Sequence, residues 1–474
     1  MLYSIINSIL ILFSLIAIME KKTKDELLKK AEIPGINAIK MHKFYRGKIQ
    51  IIPRCQVRDY SDFGIWYSPG VAAPCSEIFQ DKEKVYDYTS KWNTVAVVSD
   101  GSRVLGLGNI GPEAALPVME GKALLYKYLG GVDAFPLCIG EQGGSEAEEI
   151  IKFVKMVQPT FGGINLEDIS KPKCFTVLDK LRSDPEISIP VWHDDQQGTA
   201  CVTLAGLMNS LRIVGKKKEE VKMVFSGIGA ANFGIYRLLK SDGFNIKNSI
   251  FVDRKGILYK ERPDLECPQD YKCEIANISN SQQIRGDISI ALEGADILIA
   301  SSTPGPDVIK KEWISKMADD AIVFALANPI PEIFPWDAKE AGARIVATGR
   351  SDFPNQVNNS LCFPGLFRGT LDVRATTITD EMCIAASYAL ADLVDEIQGC
   401  LVDDCILPTM EYKNVFIRQA AAAGLKAIEQ GIARIKLSEE ELLEKSKNLI
   451  KNSQGQFKLL MEKGFIPKFD DYEK

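Results

Sequence analysis

The stretch that most limits the folds open to this chain is Glu220 to Gly243. An apolar run, V-K-M-V-F-S, passes into Gly227-x-Gly229-x-x-Asn232 and then into F-G-I-Y-R-L-L-K. A strand that turns on glycines into a helix opens a parallel, doubly wound sheet. The glycines let a pyrophosphate approach the backbone, and the helix N-terminus supplies amides and a favourable dipole. About twenty residues further on, a second strand, S-I-F-V, ends in Asp253-Arg254. Three more strands are predicted at Ala295 to Ala300, Ala321 to Ala327 and Arg344 to Ala347, each running into a polar loop. Alternating strands and helices predict an α/β fold with a Rossmann-type parallel sheet. A dinucleotide is the expected cofactor, met by Gly227, Gly229, Ala230, Ala231 and Asn232. Asp253 suits the ribose 2′-hydroxyl of NAD, whereas Arg254 beside it suits the 2′-phosphate of NADP.

A second constraint comes from two acidic pairs. F-G-G-I-N-L-E-D-I (Phe161 to Ile169) and V-W-H-D-D-Q-Q-G-T (Val191 to Thr199) each place carboxylates directly after a short apolar run. Adjacent side chains diverge within a strand or helix, but at a strand end both can face one site. Glu167, Asp168, Asp194 and Asp195 gathered from two such ends form a hard, all-oxygen ligand set for Mg²⁺ or Mn²⁺. The alternative is that they are solvated loop charges or helix N-caps.

With 474 residues, 46% of them hydrophobic and 25% charged, the chain has room for two or three domains. Its net charge of −6 gives no footprint for nucleic acid. Eleven scattered cysteines without a C-x-x-C pair favour reduced thiols. Two histidines, His42 and His193, rule out a zinc site built on several imidazoles, and His193 reads as a structural neighbour of the acidic pair.

Leu2 to Ile18 is nearly all apolar and barely long enough to span a bilayer. It reads as a signal anchor, a targeting segment, or translated sequence upstream of a working start at Met19. The last is favoured, and with it a cytoplasmic protein, because Met-Glu-Lys-Lys-Thr-Lys opens like a soluble chain. Lys21 to Lys30 predicts a charged helix that stops before Pro34-Gly35. Tyr67 precedes Ser-Pro-Gly, where a turn can present a phenol to a cleft or a core can bury it. Thr94 to Gly108 carries a hairpin signal around Asp100-Gly101, with Arg103 just past the turn as a carboxylate clamp or a surface arginine. Pro112 onward predicts a helix holding Lys122 among Ala, Leu and Met, either a general base of depressed pKa or a solvated lysine. Asp133 to Ile139 and Thr160 to Leu166 predict strands around a helix from near Ser145, and Gly198 to Gly215 a helix leading to the second domain. Asn328, Asn358 and Asn359 lie in loops where amides bind carboxylates or nicotinamide, or cap turns. From Asp380 to Lys463 the chain reads as helical. Boundaries are expected at 1–19 (leader), 20–197 (α/β domain with the metal site), 198–395 (dinucleotide domain) and 396–474 (helical segment).

Placed side by side, these stretches resemble the malic enzymes, in particular the short bacterial-type branch. The resemblance rests on W-Y-S-P-G-V-A-A-P-C, V-V-S-D-G-S-R-V-L-G-L-G-N-I-G, P-V-M-E-G-K-A, F-G-G-I-N-L-E-D-I, P-V-W-H-D-D-Q-Q-G-T-A, F-A-L-A-N-P-I-P-E-I and A-T-G-R-S-D-F-P-N-Q-V-N-N-S-L-C-F-P-G, in that order. It implies oxidative decarboxylation of L-malate to pyruvate and CO₂ with reduction of NAD(P), NADP being favoured through Arg254. It further implies that Lys122 takes the proton of the C2 hydroxyl, that Tyr67 protonates C3, and that Asp194 tunes Lys122. Glu167, Asp168 and Asp195 would hold the divalent ion. Arg103, Asn328, Asn358 and Asn359 would hold substrate and cofactor, and the chain would form a homodimer. Two other readings stand against it: a two-domain dehydrogenase that needs no metal, and a non-catalytic protein that only binds a dinucleotide.

Overall fold

The computed structural model describes residues 24–398 and 401–472. The apolar run Leu2 to Ile18, with the three readings given to it, lies outside the described residues. The described residues divide into a small unit, 24–48 with 461–472, and a large one, within 49–460.

In the small unit, helix α1 (Lys24–Tyr45) runs through Pro34, where the sequence predicts a stop. Proline removes one backbone donor, and the helix-forming residues on either side, among them Leu27, Leu28, Ala31, Ala38 and Met41, carry the 22-residue helix past that loss. The Tyr45 hydroxyl donates to the Pro467 carbonyl at 2.9 Å, and Phe44 packs on Phe469.

The large unit begins with α2 (Ala72–Gln80), β1 (Thr94–Ser99), α3 (Pro112–Gly130), β2 (Asp133–Cys138), α4 (Ala147–Val157), β3 (Gly163–Leu166), α5 (Lys173–Ser183) and β4 (Val191–His193). The four strands form a parallel sheet in the order β2-β1-β3-β4. The hairpin predicted at Asp100-Gly101 does not form. All six residues of β1 are buried, and the strand pairs in parallel on both sides, as an unbroken apolar run permits and a half-solvated hairpin does not. Asp100-Gly101 instead turns the chain at the end of a central strand, where a Cβ on Gly101 would lie 2.2 Å from the Gly111 carbonyl oxygen. Helix α3 has Pro at its start and ends at Gly131 in the left-handed conformation, φ 63°.

Helix α6 (Thr199–Val214) leads to β5 (Met223–Ser226), α7 (Ala230–Ser241), β6 (Ile250–Asp253), β7 (Gly256–Ile257), β8 (Ile297–Ala300), β9 (Ala321–Ala325) and β10 (Ala343–Thr348). These strands form the predicted doubly wound sheet, in the order β10-β9-β8-β5-β6-β7, parallel except for the short edge strand β7. The order reverses between β5 and β8, so the crevice expected to take a ligand opens beyond their carboxyl ends. The sequence then supplies α8 (Phe363–Asp372), followed by α9 (Asp380–Gln398), α10 (Asn414–Glu429) and α11 (Glu439–Glu462), the last three in the part predicted to be helical, Asp380 to Lys463. One apolar core joins the two sheets, running from Val95 to Val98 through Tyr126 to the stacked rings of Phe225 and Phe251.

The expectation of reduced thiols throughout is corrected at one place. Cys267 and Cys273 form a disulfide across a spacing of six residues, in a loop whose fold brings their Cα atoms to 5.7 Å. Cys55, Cys75, Cys138, Cys174, Cys201, Cys362 and Cys383 are free.

Candidate active site

Both acidic pairs stand at carboxyl ends of the first sheet, as their sequence context predicts. Glu167 and Asp168 follow β3, and Asp194 and Asp195 follow β4 in a single wide π turn, Asp194–Gly198. Such turns insert an extra residue per turn and recur at functional sites. One oxygen from each of Glu167, Asp168 and Asp195 lies within 4.8 Å of the others. Asp168 is held at φ +54°, a strained conformation for a non-glycine residue, while its amide donates to Asp195 at 2.9 Å. Burial, then Asp195, pushes the Asp168 carboxyl up to about 8. Burial pushes Glu167 well above the carboxylate range against the pull of Lys122, and the surrounding aspartates add to it. The buried Oδ2 of Asp168 has no hydrogen-bond partner. Three converging carboxylate oxygens, one of them buried without a hydrogen-bond partner, and the raised pKa values of Glu167 and Asp168 make a hard donor set that a divalent cation would neutralise, so the cluster fits Mg²⁺ or Mn²⁺.

Lys122, on α3, is buried and ion-paired to both Asp194 and Glu167, the latter at 3.0 Å, with the Phe363 ring 4.4 Å from its nitrogen. The depressed pKa expected for a lysine in apolar company is not found. Burial lowers it, but Asp194 and Glu167 outweigh burial and hold the ammonium above its ordinary range. The solvated alternative fails equally, since its side chain is 8% exposed.

Sequence reasoning missed the residues that aim these groups. Asn165 donates to Glu167 Oε2 at 2.8 Å and accepts from the Tyr126 hydroxyl at 2.7 Å, fixing the carboxylate from behind. Trp192 Nε1 donates to Asp194 Oδ1 at 3.0 Å. Gly198 is required by packing, because a Cβ there would lie 2.0 Å from Asp194 Oδ1. Gly234 on α7 is required in the same way, as a Cβ would meet the Gln196 carbonyl oxygen at 2.3 Å. Both glycines stood in the quoted motifs, but only the fold shows what they approach.

At the second sheet, Gly227 has φ +89°, and a Cβ on it would lie 2.6 Å from Ser301 O at the end of β8. Gly229 caps α7 and faces open space, next to the first-turn amides of Ala230 and Ala231. That cradle fits a pyrophosphate. Asn232 is buried, and its amide donates to the carbonyls of Ser226 and Gly227, bracing the turn from beneath. Glu332, also missed, is fully buried and accepts from the amides of Ser302 at 2.8 Å and Ala327 at 3.0 Å, tying together the loops after β8 and β9. Asp253 ends β6 as predicted, and Arg254 beside it is exposed.

The remaining candidates lie further out. Arg103 is exposed, with its amide donating to the Asp168 carbonyl at 3.0 Å. Asn328 is exposed after β9, and Asn358 caps the turn Asn359–Leu361 through Ser360 N. Asn359 abuts Gly198. Tyr67 is 75% exposed, so the core alternative is excluded and the phenol stands on the surface of this chain. Among the described residues no helix is long and apolar enough to cross a membrane.

Family models describe both halves of this arrangement. Residues 46–182 match "Malic enzyme, N-terminal domain" and residues 196–427 match "Malic enzyme, NAD binding domain". The chain is 48% identical to a protein of Geobacillus stearothermophilus named NAD-dependent malic enzyme, over 82% of this chain and 78% of that one. It is 42% identical to a protein of Escherichia coli named NADP-dependent malic enzyme, over 84% of this chain and 53% of that one. The crystal structure of Entamoeba histolytica malic enzyme superposes with a TM-score of 0.90 at 44% identity, covering 96% of this chain and 94% of the other. With two family models spanning its two sheets and a solved relative matching nearly its whole length, the chain belongs to the malic enzyme family.

Proposed function

We propose that this chain oxidatively decarboxylates L-malate to pyruvate and CO₂ with reduction of NADP, using a divalent ion held by Glu167, Asp168 and Asp195. The observation that carries the reading is the buried contact of Lys122 with Asp194 and Glu167, beside three converging carboxylate oxygens. A metal-independent dehydrogenase has no need of that cluster, and a protein that only binds nucleotide has no need of the lysine.

Glu167, Asp168 and Asp195 would hold the divalent ion, which would supply a Lewis acid for the C2 oxygen, and the nicotinamide would supply the hydride acceptor for C2. Lys122 takes the proton of the C2 hydroxyl. To do so it must first give up one ammonium proton to solvent and stand as the neutral amine, and Glu167, were it to hold the ion, would no longer be a full counter-charge to it. Asp194, excluded from solvent and fixed by Trp192, keeps the Lys122 nitrogen oriented. Loss of CO₂ leaves an electron pair at C3, and Tyr67 supplies the proton that ends the reaction. Arg103 and Asn359, at the edge of the acidic cluster, bind the carboxylates of the substrate, with Asn328 and Asn358 serving substrate and cofactor.

NADP is favoured because Arg254 stands beside an aspartate whose charge Arg262 and Lys272 already neutralise. A homodimer belongs to the same reading. Ile51, Tyr60 and Phe79 are 84%, 91% and 89% exposed, and apolar surface of that kind calls for cover. The deciding assay follows reduced nicotinamide and pyruvate together, with NADP and with NAD, with and without a chelator. Equal yields of both products that vanish on chelation are expected. Reduced nicotinamide without pyruvate would overturn the decarboxylation, and an unpreferred NADP, or a preference untouched by Arg254→Ala, would overturn that cofactor assignment.

A further inference from the structure

Asp100, directly after β1, is fully buried, and its carboxylate gathers the loops that leave three of the four strands of the first sheet. From its own loop, Oδ1 accepts from Ser102 N at 3.1 Å and from the Ser102 hydroxyl at 2.6 Å. From the loop after β2, Ser145 N donates to Oδ2 at 3.0 Å. From the end of the loop after β3, the Lys173 ammonium pairs with the same Oδ2 and donates to the Ser145 carbonyl at 2.7 Å. A charge so enclosed is tolerated only while it is paired and hydrogen-bonded, so each partner is fixed in turn. The junction leaves no slack: Gly144 has φ +88°, and a Cβ on it would lie 2.9 Å from Asp100 Oδ2 and 3.0 Å from Lys173 Nζ.

The acidic site begins two residues from this junction. Ser102 Oγ accepts from Ser170 N at 2.9 Å, and Arg103 N donates to the Asp168 carbonyl at 3.0 Å, so Ser102-Arg103 is stitched along Asp168 to Ser170. The Arg103 side chain is exposed, and its reach is therefore set by where its backbone is held. We propose that the buried Asp100–Lys173 pair is a positioning device for Arg103: by fixing Ser102 it aims the guanidinium at a carboxylate of the substrate. The inference rests on the role given to Arg103 above. A pair that merely held the loops together would alter stability and leave malate affinity alone; a pair that aims Arg103 acts on malate affinity, and only while the arginine is present.

The test is a double-mutant cycle on the full chain, formed by Lys173→Met, Arg103→Ala and the two combined. Malate affinity is read by calorimetry with Mn²⁺ and reduced nicotinamide cofactor, which cannot accept hydride, and the KM for malate is measured beside it. Lys173→Met is expected to weaken malate about tenfold, the scale of one charged hydrogen bond, with kcat and the KM for nucleotide within about twofold. In the Arg103→Ala background the same substitution is expected to change malate affinity by less than about twofold, because additivity fails for residues that act through one another. Lys173→Arg should restore the affinity. Ser102→Ala, which keeps the pair and cuts its link to Ser170, should weaken malate as Lys173→Met does, and it stands if the lysine variant does not fold. Equal effects of Lys173→Met with and without Arg103, or an unchanged malate affinity in Lys173→Met, would overturn the inference and leave the role of Arg103 intact. Malate affinity untouched by Arg103→Ala would overturn that role and the inference with it, and a wild type that takes no malate would overturn the reading of the reaction itself.

Discussion

Gly198 and Asp194 meet across one wide turn, the glycine leaving no room for a Cβ within 2.0 Å of the aspartate Oδ1 that Trp192 holds. Gly198→Ala therefore has to displace the carboxylate that orients Lys122. A loss of about 1–3 kcal/mol is expected from overpacking, together with a fall in turnover. Gly455→Ala, in α11 with open space around it, serves as control and should gain up to about 1 kcal/mol. Urea titrations of the two variants decide the point; equal responses would show that the contact carries no strain.

Lys122→Met removes the base and leaves Asp194 and Glu167 without their cation. Turnover should fall by about 10²–10⁴-fold, the usual range for a positioned acid–base group. In chelator the variant should also lose stability, by about 3–5 kcal/mol for a broken buried pair, and Mn²⁺ should restore part of it. Turnover within tenfold of the wild type would remove Lys122 from the chemistry.

The acidic cluster ties stability to pH with a definite sign. An unfolded aspartate ionises near pH 4, whereas Asp168, folded and without a cation, ionises at about 8. Between those values the folded chain binds more protons than the unfolded one, so the melting temperature in chelator should fall as pH rises from about 4 to about 8. A cation binds the ionised carboxylates. Mn²⁺ should accordingly raise the melting temperature more at pH 8 than at pH 5. Calorimetric scans showing an equal rise at both would separate the cluster from metal binding.

Glu332 offers a test of the nucleotide crevice that does not touch the acidic site. Glu332→Ala strands the amides of Ser302 and Ala327, a loss of about 1–3 kcal/mol for the first unsatisfied group. Nucleotide affinity, followed by fluorescence of the bound reduced cofactor, should weaken as the loops after β8 and β9 separate. Glu332→Gln keeps one acceptor and should fall between the two. Unaltered affinity in Glu332→Ala would make the tie between the loops irrelevant to binding.

What could be read from the sequence was whatever depends on local pattern. Glu167-Asp168 and Asp194-Asp195 announced themselves because each follows a buried apolar run, and Gly227-x-Gly229 because a strand precedes it and a helix follows. Asp100-Gly101 misled for the same reason: a two-residue turn looks alike whether the next segment pairs back or leaves the sheet, and burial of β1 on both faces decides it. The pKa of Lys122 was beyond reach, since its shift belongs to Asp194, 72 residues away, as much as to its own neighbours. Asn165, Glu332 and Arg262 were invisible as well. Each acts by filling the hydrogen-bonding needs of a group that only the tertiary fold brings near.

The contact between Gly234 and Gln196 bears on how far the two halves of such a chain are interchangeable. In sequence they read as separable modules, one carrying acids and the other a glycine turn. Yet the helix that opens toward the nucleotide rests, backbone against backbone, on the turn that aims the acids. A graft of another dinucleotide-binding unit onto the first sheet would need a glycine at this position whatever nucleotide it took, and one methyl group there would push the acids and the turn out of register.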